Sequence, residues 1–273
     1  MNQETFRPML AIAERELWSV IRTRAYLLLA GAFIVVTLGF ATVTGGPERG
    51  FVPTGLDLLA PMELLVPVLA IALGYRAILG DATRGELEVL RTYPLTPVQH
   101  VLGSFIGRGS IVVIVIALSL TLVGILVAVT PPDVVRIFAT HETADSPVLF
   151  ARFLLVTVVF GLVFLSIGLA ISAIARSSKA ALAIIAVVFL AVVIGTELVI
   201  VRGLAGGWVA DDQVTSVLAL APHTAYRGLV LETALGIESP AGVRAASPVL
   251  SVVSLLVWLI LSLAIAVIAI YRR

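Results

Sequence analysis

The sequence predicts an all-α integral membrane protein, because 60% of its 273 residues are hydrophobic and only 13% are charged. Ordinary globular chains are about half apolar and a quarter charged. A membrane-spanning helix needs roughly 20 mostly apolar residues, and six stretches of the chain meet this requirement. They cover residues 25–43, 58–79, 109–129, 152–175, 180–201 and 248–270. We therefore predict six transmembrane helices in one transmembrane domain over residues 1–273.

The distribution of basic residues predicts the orientation of these helices. Twelve arginines and lysines lie in or beside the N-terminus, the 80–108 connection, the 176–179 turn and the C-terminus, against six in the other connections. Because cytoplasmic connections carry the excess of basic residues, both termini are predicted to be cytoplasmic. The 24 residues before the first apolar run include no clear cleavage site, so the first span is predicted to be a permanent anchor.

The segment before the first span has the pattern of an amphipathic helix. Its apolar residues recur at helical spacing, and they are Phe6, Met9, Leu10, Ala13, Leu17, Val20 and Ile21. This pattern predicts a helix lying flat on the cytoplasmic membrane surface with its apolar face down. The alternative is a cytoplasmic extension of the first span.

The connection 80–108 contains a second amphipathic pattern, over residues 81–91. Leu87 and Leu90 share one face of the predicted helix, and the residues around that face are Arg84, Glu86, Glu88 and Arg91. Pro94 ends the pattern. The helix either lies on lipid headgroups or docks on a cytoplasmic partner. Farther along the connection, the small residues Gly103 and Gly107 are four positions apart, a spacing that allows close contact between helices.

The segment 202–247, on the predicted outer side, contains apolar pieces at 217–220 and 224–231 that are too short to span a membrane. They predict a re-entrant or interfacial helix between spans 5 and 6. In the other outer connection, His141 and Glu142 resemble the start of a helical zinc motif. Because Asp145 stands where the second histidine would be needed, a solvated loop is favoured there over a metal site.

Two carboxylates, Glu63 and Glu197, lie inside predicted spans, each within about two turns of the outer end. Ionisable residues in such segments are candidates for a functional site. One interpretation is a polar site on a substrate or cation path. The other is a pair of interfacial carboxylates that bind Arg202 or Arg227.

Composition and missing motifs exclude several classes of function. The chain has no cysteine, three histidines and three methionines, which leaves no thiolate chemistry and little for a soft-metal site. A net charge of +1 lacks the basic excess that nucleic-acid-binding proteins show. The phosphate-binding loop, the nucleophile elbow, the zinc motif and the dinucleotide fingerprint are all missing from the sequence. We predict neither catalytic residues nor a bound cofactor or metal.

One block of the sequence carries a family resemblance. It includes GYRAILG at 74–80, GEL at 85–87, TYPL at 92–95 and LGSFIG at 102–107. With AEREL at 13–17 and the segment around Pro222 and Tyr226, it resembles membrane subunits of the type-2 family of ABC exporters. Within that family it is most similar to the permease that serves nitrous-oxide-reductase maturation. It departs from the family at Arg76, where relatives often carry an acid, and at Ala221, where they often carry asparagine.

The resemblance implies a permease of an ATP-driven exporter in a prokaryotic plasma membrane, working as a homodimer. It makes the N-terminal helix an elbow helix and the segment after the second span a coupling helix that docks on a separate ATPase subunit. The residues implied in this docking are Arg84, Gly85, Glu86, Leu87, Leu90 and Arg91. The resemblance also implies a role in copper-site maturation with an extracytoplasmic partner. An ATP-independent secondary transporter and a non-transporting, force-transmitting membrane subunit remain as alternatives.

Overall fold

A computed structural model describes residues 3–85, 95–131, 145–207, 214–234 and 246–272, and every regular element within these ranges is helical. The elements are α1 (Gln3–Arg22), α2 (Arg24–Val43), α3 (Gly46–Arg49), α4 (Phe51–Gly74), α5 (Ala77–Thr83), α6 (Pro97–Val129), α7 (Pro147–Ile174), α8 (Ser178–Leu190), a π-helical stretch (Ala191–Gly195), α9 (Thr196–Ala205), α10 (Val214–Leu218), α11 (Pro222–Leu229), a second π-helical stretch (Val230–Ala234) and α12 (Pro248–Tyr271).

Five helical units in the described ranges are long and apolar enough to cross a membrane: α2, α4 with α5, α6, α7 and α12. The all-α membrane fold predicted from the sequence is therefore confirmed. The predicted span 180–201 corresponds to α8, the π-helical stretch and α9, which follow one another directly along the chain. In a π-helical stretch the hydrogen bonds join residues five apart instead of four, so each hydrogen-bonded ring contains one extra residue. The count of six spans stays a prediction.

Three of the spanning helices begin earlier than their apolar runs, and α7 does so at Pro147 instead of 152. The α6 helix begins at Pro97 instead of 109, because Thr96 and Gln99 form a reciprocal capping box ahead of the apolar run. The α4 helix begins at Phe51 instead of 58. The carboxylate of Asp145 accepts hydrogen bonds from the first two amides of α4, at 3.1 and 2.8 Å, and so satisfies donors that the helix itself leaves free.

The α7 helix forms the centre of the bundle and is the most buried of the spans, whereas α2 and α12 are the least buried. Its closest neighbour is α4. At Gly74 and Gly168 the two backbones touch, since a Cβ atom on Gly74 would lie 3.1 Å from the Cα atom of Gly168. Small residues at such a position let membrane helices pack backbone to backbone.

The N-terminal helix is separate from the first span, because Thr23 between α1 and α2 has an extended conformation with φ −94° and ψ 108°. One face of α1 packs on α6 at Gly103 and Gly107, which confirms the close contact that their spacing predicts. Leu10 and Trp18 remain exposed on α1. The position of α1 on the membrane surface stays a prediction.

The bundle has two ends that are distinguished by these connections. The first end carries α1, α5 and the turn around Ser177, and the second end carries α3 and Asp145. At the second end an ion pair between Arg49 and Asp57 joins α3 to α4.

Candidate functional site

Six titratable side chains meet at the first end of the bundle, immediately before the segment 86–94. We call them the charge network; they are Arg15 and Glu16 of α1, Asp81 of α5, Arg84 at the end of α5, and His100 and Arg108 of α6. The network connects residues that are far apart in the sequence, and it joins three helices at one place.

Asp81 is the residue at which these helices meet. Its side chain is buried, and its carboxylate accepts hydrogen bonds from Arg15 Nη2 at 2.6 Å and from Arg84 Nη2 at 3.1 Å. The ring nitrogen Nε2 of His100 lies 3.8 Å from the same carboxylate. A carboxylate inside a bundle is stable only when charged or hydrogen-bonding groups surround it. Arg15 of α1 and Arg84 supply the hydrogen bonds to Asp81, whereas His100 of α6 lies nearby without bonding to it.

Glu16 and Arg108 form a second ion pair in the network, and both side chains are buried. Arg108 Nε donates to Glu16 Oε2 at 2.7 Å, and Arg108 Nη1 donates to the backbone carbonyl of Leu73. Arg15 Nη2 donates to the other oxygen of Glu16 at 2.9 Å. The pair therefore holds α1 and α6 to the last turn of α4.

The electrostatics around Arg15 keep its guanidinium charged. Desolvation by burial lowers the pKa of Arg15, but the carboxylates of Asp81 and Glu16 outweigh this effect and raise the pKa above its usual value. Arg15 thus binds two carboxylates from two different helices as a permanent cation.

The contact between α1 and α6 depends on the two glycines of α6. A Cβ atom on Gly103 would lie 2.7 Å from Cβ of Ile12, and one on Gly107 would lie 2.9 Å from Cβ of Glu16. Real Cβ atoms do not approach other atoms so closely, so a larger residue would push α1 away. These glycines set the distance at which Glu16 and Arg108 meet.

Gly107→Ala is expected to destabilise the protein by about 1–3 kcal/mol, because the added methyl group overpacks the α1–α6 contact. Gly124→Ala on the same helix is the matched control, since its Cβ atom would lie 3.4 Å from the Phe150 ring, an ordinary contact. Thermal unfolding in detergent should show a lower midpoint for Gly107→Ala only. Equal midpoints for the two variants would contradict the packing argument.

Of the residues predicted to couple to an ATPase, the structure describes Arg84 and Gly85. Arg84 belongs to the charge network, and Gly85 has φ +74°, a left-handed conformation typical of the residue that follows a helix. The single helix predicted over 81–91 is therefore wrong, because α5 ends at Thr83 and Gly85 terminates it. Glu86, Leu87, Leu90 and Arg91 lie outside the described residues.

The predicted intramembrane residue Glu63 forms an ion pair with Arg227 of α11. Arg227 donates from Nε to Glu63 Oε1 at 2.6 Å and from Nη2 to Glu63 Oε2 at 2.5 Å, a bidentate geometry with charge-assisted bonds. Because α4 begins at Phe51 rather than 58, Glu63 lies about three turns into the helix, roughly 18 Å along its axis. It is thus farther from the helix end than the sequence predicted.

The short helix α11 is inserted between longer helices, and Arg227 is its only exposed residue. The Tyr226 ring stacks on Phe160 of α7 at a centroid distance of 4.2 Å, and its hydroxyl lies 2.9 Å from Thr157 Oγ1. A buried tyrosine needs such a partner for its hydroxyl. Tyr226 therefore fixes α11 against the centre of the bundle and holds Arg227 next to Glu63.

The second predicted carboxylate, Glu197, lies in α9, and its side chain is outside what the structure describes. Arg202 on the same helix is exposed. Of the two arginines proposed as partners for the carboxylates, Arg227 is the one that binds Glu63.

Patterns in the sequence do not indicate most of the charge network. Arg108 is one of the basic residues of the 80–108 connection, and Glu16 lies outside the apolar pattern that predicts α1. The capping signal at Thr96 and Gln99 could have extended α6 backwards and placed Arg108 inside a helix. No local signal identifies Glu16 as its partner, because the two residues are 92 positions apart.

Comparison with known proteins gives the same family as the resemblance. Residues 10–273 match the family model described as ABC-2 family transporter protein. A protein from Stutzerimonas stutzeri named "Probable ABC transporter permease protein NosY" is 29% identical over 257 residues, covering 92% of this chain and 91% of the relative. A protein of the same name from Pseudomonas aeruginosa is 29% identical over 259 residues, with the same coverage.

Proposed function

Because the chain belongs to the ABC-2 family of transporter proteins, we propose that a separate cytoplasmic ATPase drives it by docking at residues 84–91. The chain is an ABC transporter permease subunit, a multi-pass protein of a prokaryotic plasma membrane. The observation that carries the proposal of docking is the charge network, which joins α1, α5 and α6 at the start of this segment.

The charge network makes this end of the bundle suitable for transmitting a displacement. Asp81 binds α1 through Arg15, and Arg84, the first residue of the docking segment, binds Asp81. The buried Glu16–Arg108 pair is expensive to break, and the part-buried Arg15–Asp81 pair adds a weaker link to α5. We therefore expect α1, α5 and the beginning of α6 to move together. A displacement of the docking segment by an ATPase therefore reaches several helices at once.

The proposed assembly contains two copies of this chain and two ATPase subunits. Six spans, with both termini cytoplasmic, α1 as an interfacial elbow helix and α11 in a re-entrant segment, form the single transmembrane domain of each copy. Since the sequence contains no phosphate-binding loop, the isolated chain should hydrolyse no ATP.

The double variant Leu87→Asp with Leu90→Asp tests the docking proposal. If these leucines are buried anchors in a cleft of the ATPase, each truncation costs about 2 kcal/mol or more, roughly thirty-fold in binding. We expect normal membrane insertion and loss of the ATPase from the complex purified out of native membranes. The readouts are co-purification of the ATPase and ATP hydrolysis by the purified complex.

The matched control is the double variant Val43→Asp with Val129→Asp. Both valines are exposed, at 88% and 70%, and they end α2 and α6 at the second end of the bundle. It introduces the same two charges without touching the docking segment, so the ATPase should remain bound. An ATPase that stays bound to the Leu87 and Leu90 variant would overturn the docking proposal.

The proposed orientation can be tested by labelling single cysteines, because the chain contains none of its own. Ser177 and Ser146 are a matched pair, since each accepts a hydrogen bond from an amide in the first turn of a helix, both at 3.2 Å. Their replacement costs about 1 kcal/mol each. An impermeant thiol reagent should reach Ser177→Cys only from the cytoplasm and Ser146→Cys only from outside. The reverse pattern would refute the orientation.

The proposed direction of transport is export, with a role in maturation of the copper site of nitrous oxide reductase through an extracytoplasmic partner. The support is the sequence resemblance at 74–107. With three histidines, three methionines and no cysteine, the chain is poorly equipped to bind copper itself. Deleting the gene should leave nitrous oxide reductase present but low in copper, measured by metal content of the purified enzyme. Fully copper-loaded enzyme from the deletion strain would refute this role.

A further inference from the structure

The membrane-spanning unit formed by α4 and α5 is interrupted at Tyr75 and Arg76, and this interruption has an unusual set of hydrogen bonds. Arg76 has φ −105° and ψ 2°, and its own side chain does not cap the following helix. The first amides of any helix lack partners within it. In α5, the amides of Ile78 and Leu79 donate to Ser172 Oγ at 3.0 and 2.9 Å.

Ser172 belongs to α7, so it caps α5 from a different helix. The two amides occupy the second and third positions of α5, which an ordinary capping serine would satisfy from the residue just before the helix. Ser172 is completely buried, as is Ile78, so bulk solvent does not reach these amides. The serine is therefore the group that satisfies the start of α5.

The other side of the interruption is held from α6. The carbonyl of Leu73, in the last turn of α4, accepts a hydrogen bond from Arg108, and such carbonyls have no partner within their own helix. Arg108 in turn binds Glu16 of α1. Both ends of the interruption are thus fixed by side chains from other helices.

Backbone packing places Ser172 at this position. The contact between Gly74 and Gly168 brings α4 against α7 immediately before the interruption. Ser172 follows Gly168 by one helical turn and so lies on the same face of α7. Its hydroxyl reaches α5 because the two glycines allow the helices to touch.

We propose that Ser172 and Arg108 are positioning residues that set the direction of α5 relative to α4, and with it the direction in which the chain enters the docking segment at 84–91. The two helices meet at Tyr75 and Arg76, and the non-helical backbone of Arg76 places a short hinge between two rigid helices. The two side chains hold this hinge in one state. The consequence for ATP-driven motion rests on the proposed function.

The direction of α5 can be measured without any ATPase. Spin labels on cysteines at Thr83 and Lys179, both exposed, report the distance from the end of α5 to the start of α8. A second pair of labels at Val98 and Lys179 reports the distance from the start of α6 to the start of α8, which does not depend on the direction of α5. Ser172→Ala should shift and broaden the first distance distribution and leave the second unchanged. The first distribution remaining unchanged would overturn the proposal.

Ser166→Ala is the matched control for this measurement. Ser166 is equally buried on α7, but its hydroxyl donates to the Val163 carbonyl of its own helix at 2.6 Å. Its removal deletes a buried hydroxyl without releasing α5, so both distributions should be unchanged. A shift as large as that of Ser172→Ala would show that any lost hydroxyl loosens the bundle, which also overturns the proposal.

The complex with the ATPase tests the consequence for coupling. In the labelled complex that retains Ser172, trapping with ATP and vanadate should shift the Thr83–Lys179 distance. In the Ser172→Ala complex this shift should be lost, while the ATPase still co-purifies. An equal shift in both complexes would overturn the role in coupling. Absence of an ATPase from the unchanged complex would instead refute the proposed function, and the ATPase-free distances would still decide the positioning role.

Discussion

Arg108→Met is expected to lower the free energy of unfolding by about 3–5 kcal/mol, the usual effect of removing one partner from a buried ion pair. The variant leaves the carboxylate of Glu16 buried with one hydrogen bond fewer, and it removes the donor that binds the Leu73 carbonyl. Methionine fills a similar apolar volume, so the loss of charge dominates the result. Thermal or denaturant unfolding in detergent measures the effect.

Two further variants show whether the ion pair is responsible. Arg176→Met removes an exposed arginine between α7 and α8 and should change stability by no more than about 0.5 kcal/mol. The double variant Arg108→Met with Glu16→Leu should lose less stability than the two single variants lose together. The reason is that it leaves neither charge of the pair buried without the other. Strict additivity would mean that the pair contributes nothing beyond its separate side chains.

The sequence predicted the spanning helices well, because a bilayer imposes a simple requirement on length and polarity. The runs at 25–43 and 248–270 agree with α2 and α12 within one residue at each end. The requirement concerns lipid contact only. Polar residues can extend a helix beyond the apolar run, and the requirement does not detect them. For this reason α6 begins twelve residues before its predicted edge.

The candidate sites were predicted less well, for a different physical reason. The sequence alone identifies Glu63 as a candidate, since a carboxylate in an apolar run usually has a functional or structural partner. Its partner Arg227 is 164 positions away, and only the insertion of α11 beside α7 brings the two together. The importance of Glu16, Arg108 and Ser172 likewise depends on tertiary packing, because each satisfies a group on another helix.

The apolar surface of α8 shows another limit of sequence reasoning. Its residues are apolar nearly all round, as in a buried helix, yet Ala181 is the only buried residue of α8. A bilayer makes this possible, because lipid covers apolar side chains as well as protein does. Hydrophobicity alone therefore does not separate α8 from α7, the most buried span.

Glu63→Ala should also have a large effect, since it removes the carboxylate that accepts two charge-assisted hydrogen bonds from Arg227. The side chain of Glu63 is largely buried, whereas that of Arg227 is 46% exposed, so the pair contributes less than a fully buried one. We expect a loss of about 1–2 kcal/mol in stability. Limited proteolysis should show release of α11, and thermal unfolding should show a lower midpoint.

The charge exchange Glu63→Arg with Arg227→Glu separates the two interpretations of this pair. If the pair only anchors α11, the exchange restores attraction and should recover most of the stability lost by either single variant, with ATP hydrolysis by the complex unchanged. If the pair lines a substrate path, the sign of each charge matters by itself, and the exchanged protein should be stable but altered in hydrolysis. Tyr226→Phe provides the comparison, because it removes the hydrogen bond to Thr157 and keeps both charges. We expect the anchoring result, since the Tyr226 ring and hydroxyl already fix α11 from its buried side.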